Sequence, residues 1–170
     1  MNITILLAKP ADAYDMAEVH SRSYEAAYKN ILPMEFIKAK NAARLDLYQR
    51  IITNENNSQY VIQADGKTVG IMGIDSPKDD DADDSYYELG TIYLHPDYFH
   101  KGIGTQVVNF AFVQAQKLGK KFMNVWVFAE NANSIKFYEK CGFIADGKSK
   151  ILERGKPVEC IRMKKDLSRG

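Results

Sequence analysis

The chain has 170 residues, 45% of them apolar, and a formal net charge of +1. That length and composition suit one globular domain with its own core, and so small a net charge gives no sign of general nucleic-acid affinity. No apolar run approaches the ~20 residues that span a bilayer, and MNITILLAKPADAYD lacks the basic start and small-residue cleavage site of a signal peptide. Cys141 and Cys160 make no disulfide framework and fit a reducing, cytoplasmic setting. In chain order, Ile3–Ala8 reads as a strand. Pro10 and Asp12 open a helix that runs to about Tyr28, with Met16, Val19, Tyr24 and Tyr28 at roughly helical spacing. Pro33 breaks it, and 34–40 and 42–52 form a second helical region. Gln59–Ala64 and Thr68–Asp75 form a hairpin about Asp65-Gly66. A loop with five aspartates follows, over 77–85. LGTIYL is the next strand and QVVNFAFVQAQKL a long helix, which Gly119 ends. Phe122–Phe128 is a strand, Ser134–Lys140 a short helix, and 143–152 with 158–165 a last hairpin. The alternation predicts a mixed α/β domain.

Between LGTIYL and the long helix lies HPDYFHKGIGT. A strand, a glycine turn and a helix start make an anion site, because the first helical turn has unpaired N–H groups and the positive end of the macrodipole. Gly102 and Gly104 have no β-carbon, so a phosphate can approach the main chain closely. Two familiar phosphate loops do not fit. A dinucleotide fingerprint needs glycine at position 107, where Val107 stands. A Walker-type loop ending in Gly66-Lys67-Thr68 needs glycine where Val61 stands. Taken alone, the two glycines also read as an easy passage from loop to helix. Metal sites are not indicated. His20, His95 and His100 with two distant cysteines give no zinc spacing. Asp79, Asp81 and Asp83 have calcium-loop spacing, but Asp84 replaces the glycine and Gly90 the terminal glutamate.

Downstream, FMNVWVFAENANSIKFYEKCGF supplies a second segment, with Asn131, Ser134, Ile135, Phe137, Tyr138, Gly142 and Phe143 in an N-x-x-S-I-x-F-Y-x-x-x-G-F pattern. The two segments, in this order, resemble the GNAT superfamily of N-acetyltransferases, firmly from about Tyr86 to Phe143. The resemblance implies a single GNAT-like domain over 1–170. Its mixed, mostly antiparallel central sheet would have about seven strands, flanked by helices and splayed at the strands that carry acetyl-CoA. It implies acetyl-CoA as co-substrate, no metal, a primary amine of a small molecule or peptide as acceptor, and a homodimer. No nucleic acid or membrane partner is implied.

The same resemblance assigns roles to residues. Ile92, Tyr93 and Leu94 would pair their main chain with the pantetheine arm, as an added strand does. Phe99, His100, Lys101, Gly102, Ile103, Gly104 and Thr105 would hold the pyrophosphate, with Lys101 adding charge at the rim. Phe99 stands where the family usually has Gln or Arg, and His100 where it often has Gly. Asn131 matches a polar contact to the cofactor, and also reads as a cap or turn residue; Asn133 is the better cap candidate. Tyr138 matches the tyrosine that serves the departing sulfur. A thiol has pKa ~8.5 and a phenol ~10, so a strong hydrogen bond to the developing thiolate is at least as sound as full proton transfer. The alternative for Tyr138 is a core aromatic beside Phe137 and Phe143.

An alkyl amine has pKa ~10 and must lose a proton before it attacks. Glu88 matches the glutamate used as base in some relatives, and burial would suit its pKa to that task. A water chain is the other route. The acceptor side, by resemblance, draws on the first helix through His20, Tyr24 and Tyr28, on the aspartate loop, and on Glu153. The loop reads first as solvated and mobile, with attraction of a polyamine as the alternative. Two classes of function follow: an N-acetyltransferase working by direct attack in a ternary complex, or a non-catalytic acyl-CoA-binding or regulatory module on the same fold. Cys141 is a formal nucleophile that burial would make inert.

Overall fold

In a computed structural model the structure describes residues 1–168. Strand β1 is Ile3–Leu7, helix α1 Ala13–Tyr28, α2 Met34–Ala42, α3 Arg44–Ile52, β2 Gln59–Ala64 and β3 Lys67–Asp75. Then come β4 Tyr86–Leu94, α4 Ile103–Lys117, β5 Phe122–Phe128, α5 Ala132–Lys140, β6 Ile144–Glu153 and β7 Pro157–Asp166. The seven strands form one mixed sheet in the order β1-β2-β3-β4-β5-β7-β6. The β1/β2, β2/β3, β5/β7 and β6/β7 pairs are antiparallel, and β4/β5 is parallel. The α/β class and the mostly antiparallel seven-stranded sheet therefore match the expectation. No described helix is long and apolar enough to cross a membrane.

Residues gather into two compact units. The first comprises Met1–Gly73 and Thr91–Val107. Its core joins Met16 and Ala17 of α1, Tyr48 and Ile52 of α3, Val61 of β2 and Ile71 of β3. The β2–β3 hairpin turns on Asp65 and Gly66, both at positive φ (50° and 83°), the geometry that suits the right-handed twist of the flanking strands. Past β4, the His95 N–H donates to the Val69 carbonyl at 2.7 Å.

The second unit comprises Ile74–Gly90 and the chain from Val108 onward. Strand β5 alternates strictly. Met123, Val125 and Val127 are buried apolar residues, and Asn124 and Trp126 point to the other face. Registry places Asn124 beside Glu88 on β4, and Trp126 opposite Arg162 on β7. The parallel ladder pairs Tyr86, Tyr87 and Glu88 with Phe122, Met123 and Asn124. Helix α4 ends in a pair of carbonyl caps, with Gly119 N–H donating to Gln116 and Lys120 N–H to Ala115.

Some boundaries move. Helix α4 starts at Ile103, so Gly104 and Thr105 belong to its first turn, and α5 starts at Ala132 rather than Ser134. Asn131, not Asn133, is the cap of α5: its side-chain oxygen accepts from the Ser134 N–H at 3.2 Å. The cap needs a non-helical residue ahead of the first turn, and Asn131 meets that need with φ −86° and ψ 72°.

Candidate active site

In the first unit, Pro96–Tyr98 form a short 3-10 turn, capped by the Asp97 N–H donating to His95 Nδ1 at 3.2 Å. The chain is extended at Phe99 and left-handed at His100 (φ 60°) and Gly102 (φ 75°), and then enters α4. His100 thus holds a conformation that glycine adopts without strain, which is why glycine suits that position. Phe99 and His100 are exposed. A β-carbon added at Gly102 would meet nothing within 4 Å, so the space beside that main chain is open. Gly102 offers no side-chain oxygen to the first turn of α4, so those N–H groups are left for solvent or an anion. Lys101 Nζ lies 5.0 Å from the Tyr98 ring centre. Ile103 is buried and anchors the turn.

The same unit gathers a cluster of rings. Residues Ile92, Tyr93 and Leu94 of β4 are half-buried. His20 stacks on Tyr93 with ring centres 4.4 Å apart. The Tyr28 and Tyr93 hydroxyls are 3.1 Å apart, and Tyr24 meets Tyr28 edge-on at 4.7 Å. The predicted trio His20, Tyr24 and Tyr28 is therefore brought together, around a residue of the predicted pantetheine strand. Two further members were not foreseen. Tyr48 bonds His20 Nδ1 at 2.8 Å, and Arg44 lies over the Tyr24 ring at 4.6 Å. Burial, helped by the Arg44 charge, lowers the His20 pKa to about 3, so the imidazole is neutral.

In the second unit Glu88 is half-buried. Burial raises its pKa, and the charge of Asp79 raises it further, against the pull of Lys150, Lys78 and Arg162. Beside it, Asn124 is fully buried with both amide atoms unpaired. The Trp126 indole N–H donates to Asp79 at 3.1 Å. Arg162, its side chain 7% exposed, donates two bonds of 2.7 Å to Asp81 and one of 2.7 Å to Asp146. Its Nη1 also reaches Asp79 at 3.4 Å. The aspartate loop is thus pinned at Asp79 and Asp81, and the expectation of a free, solvated loop is corrected for those residues. A buried guanidinium needs its counterions, and the loop supplies them. Tyr138 on α5 is 8% exposed, with ring centres 5.3 Å from Phe137 and 5.5 Å from Phe143. Burial pushes the Cys141 and Cys160 thiols up in pKa, which makes both poor nucleophiles at neutral pH.

A sequence model described as the acetyltransferase (GNAT) family matches residues 21–143. The chain belongs to that family. It is 28% identical over 133 residues to an uncharacterized N-acetyltransferase of Methanocaldococcus jannaschii, covering 78% of this chain and 56% of that protein. The chain spans about half the length of the curated relatives it matches. Its fold is that of the PaiA N-acetyltransferase from Thermoplasma acidophilum, solved in complex with coenzyme A. That likeness has a TM-score of 0.79 at 22% identity over 98% of this chain and 99% of the other. YncA from Salmonella typhimurium, solved with acetyl-CoA, aligns with a TM-score of 0.72 at 20% identity over 100% of this chain and 96% of that one.

Within this GNAT chain, Arg44, Tyr48, Asn124, Trp126 and Arg162 lay outside the sequence motifs. Only the alternation of β5 carried a signal, since it sets Asn124 and Trp126 on the face away from Met123 and Val125.

Proposed function

We propose that residues 1–170 act as one acetyl-CoA-dependent N-acetyltransferase domain, moving the acetyl group to a primary amine by direct attack in a ternary complex. The observation that carries this reading is the bare helix start at Gly102, open on the side where a phosphate would approach, in a chain whose family membership spans residues 21–143. The Phe99 N–H is spent on the Pro96 carbonyl at 3.1 Å, so the grip on the diphosphate falls to the amides of His100–Thr105; Lys101 adds charge at the rim, and Ile92–Leu94 offer main-chain groups to the pantetheine arm. Asn131 has its side-chain oxygen engaged in the α5 cap, which leaves its amide nitrogen for the cofactor.

The amine gives up a proton to Glu88, directly or through a water held by the unpaired amide of Asn124. The amine nitrogen then bonds to the thioester carbon, the carbon–sulfur bond breaks, and the second proton shed by the nitrogen ends on the departing sulfur, which leaves as the free thiol of coenzyme A. Tyr138 donates a hydrogen bond to the sulfur as negative charge gathers there. His20, Tyr24 and Tyr28 line the acceptor side. The two unpaired thiols support a reducing, cytoplasmic setting, and homodimer assembly rests on the family resemblance.

The test is titration calorimetry with acetyl-CoA, followed by thiol release with a panel of amino acids, polyamines, aminoglycosides and peptides. Binding with turnover on an amine is expected. No heat of association overturns the reading, and binding without turnover on any amine turns it into an acyl-CoA-binding module.

A further inference from the structure

Arg44 opens α3 and is 8% exposed. Its Nε and Nη2 are sealed from water, and neither has a hydrogen-bond partner. These two nitrogens form one edge of the guanidinium, the parallel pair of donors that matches the two oxygens of a carboxylate. No carboxylate among the described residues pairs with Arg44. A guanidinium stays charged at any working pH, and a buried charge without a counterion is destabilising. The Tyr24 face offsets part of that cost, but it takes up none of the in-plane N–H donors.

The chain's other buried arginine makes the contrast plain. Arg162 spends Nε and both Nη groups on Asp81 and Asp146. Where an arginine here is structural, its fork is filled. Arg44 also sits among the groups assigned to the acceptor side. The ring it covers, Tyr24, is edge-on to His20 at 5.9 Å and tilted toward Tyr93 at 6.1 Å. Three residues earlier, Asn41 Oδ1 is buried with no donor, so this stretch lacks both an anion and an N–H group. His20 is neutral and adds no second positive charge.

We propose that the Nε/Nη2 edge of Arg44 receives a carboxylate of the acceptor, so that the amine acetylated is one that carries a carboxylate, an amino acid or a peptide end, rather than a polyamine. This inference rests on the acetyltransferase reading for the identity of the ligand, though not for the anion site itself. To reach the sealed edge the oxyanion parts the packing about it, a minor state that the ligand makes dominant.

Two measurements on the full chain test it. The first needs no turnover: thermal unfolding in sodium acetate or succinate against sodium chloride at equal ionic strength. The carboxylates are expected to raise the midpoint of the wild type and not of Arg44→Gln. An equal shift in both proteins, or no shift in either, overturns the site; the second result leaves the edge to a water bridging to Asn41. A shift with inorganic phosphate alone assigns the edge to the coenzyme and overturns the acceptor assignment. The second measurement is thiol release with amino acids and their carboxamides at saturating acetyl-CoA. The wild type is expected to favour the carboxylate by at least tenfold in kcat/KM, the scale of one charge-assisted pair. Arg44→Gln brings that ratio toward one with acetyl-CoA affinity unchanged by calorimetry. Arg44→Lys keeps the charge without the fork and is expected to lose most of the preference; a preference kept in full overturns the two-bond grip. Carboxamides or polyamines that match the amino acids overturn the substrate class. Loss of acetyl-CoA binding in the wild type would sink the enzyme reading instead, and the carboxylate shift would still report on Arg44.

Discussion

Two side chains carry the proposed chemistry, and each makes a separate demand. Tyr138 is buried among Phe137 and Phe143, so Tyr138→Phe keeps the packing and removes only the hydroxyl. A hydrogen bond to a charged group is worth about 1.5–3 kcal/mol, which sets the expected loss of turnover at about ten- to a hundredfold, with acetyl-CoA affinity retained by calorimetry. Unchanged turnover across several pH values would leave Tyr138 as a core aromatic alone. Glu88 has a pKa raised by burial and by Asp79. A raised carboxyl pKa favours the folded state at low pH, and that benefit is lost as pH rises through the folded value. Once ionised, Glu88 therefore favours the fold less than its acid form does. Glu88→Gln is expected to raise the unfolding midpoint at pH 7 while lowering kcat by about a hundredfold. The acid limb of the pH–rate profile, set by Glu88, should vanish in the same variant. A lowered midpoint, or a limb that persists, would take the base role away from it. Tyr138 and Glu88 were legible in sequence because each sits in a motif or on its leading strand. Arg44 was not, since an arginine at a helix start is ordinarily solvated, and only packing reveals that its fork is shut in.

At the scale of elements, the strands and helices follow their patterns closely, and the main departure lies in a loop. Asp79 and Asp81 fall in a run of acids that reads as solvated, yet both bind Arg162 from β7. Sequence patterning sees neighbours along the chain, and Arg162 stands far away from them in that order. Removing one partner of a buried charge set leaves the others uncompensated, at about 3–5 kcal/mol. Arg162→Met, which leaves Asp79, Asp81 and Asp146 facing one another, is expected to lower the unfolding midpoint by roughly 10 °C at about 2–4 °C per kcal/mol. The Asp81 carboxyl is held down to about 2, first by its hydrogen bonds from Arg162. Its contribution is thus present above the unfolded carboxyl value near ~4 and lost as pH falls toward 2. Acid unfolding of Arg162→Met should lack that component. A variant whose midpoint stays within a degree or two of the wild type would mean that the loop is not held by this arginine. The α5 cap offers a similar lesson on a smaller scale. Both Asn131 and Asn133 are good capping residues, and only the backbone at Asn131 decides between them.

For the whole molecule, the order of motifs was enough to place the chain in its family and to anticipate a seven-stranded mixed sheet, because strand, glycine turn and helix succeed one another in a fixed sequence. Net charge was the other global reading, and it bears on how a coenzyme would be held under the proposed function. With a formal charge of +1, the chain carries little net charge to draw in a polyanion from a distance. In the proposed reading affinity comes from local groups, the N–H groups of the first turn of α4 and the charge of Lys101. Fixed dipoles at short range are screened little by salt compared with separated surface charges. Acetyl-CoA binding is therefore expected to weaken only a few-fold between 50 and 500 mM sodium chloride. At a hundredfold excess over Kd it should stabilise the fold by about 2.7 kcal/mol, a rise of roughly 5–10 °C in the unfolding midpoint. Gly102→Ala separates this mechanism from attraction by Lys101. The new methyl meets nothing in the protein within 4 Å, though φ of 75° strains it by about 1–2 kcal/mol. It fills the space a phosphate would enter. Gly102→Ala should then lose at least tenfold in acetyl-CoA affinity, while Lys101→Ala loses only a few-fold. The reverse ranking, or a steep salt dependence in the wild type, would move the grip from the main chain to surface charge.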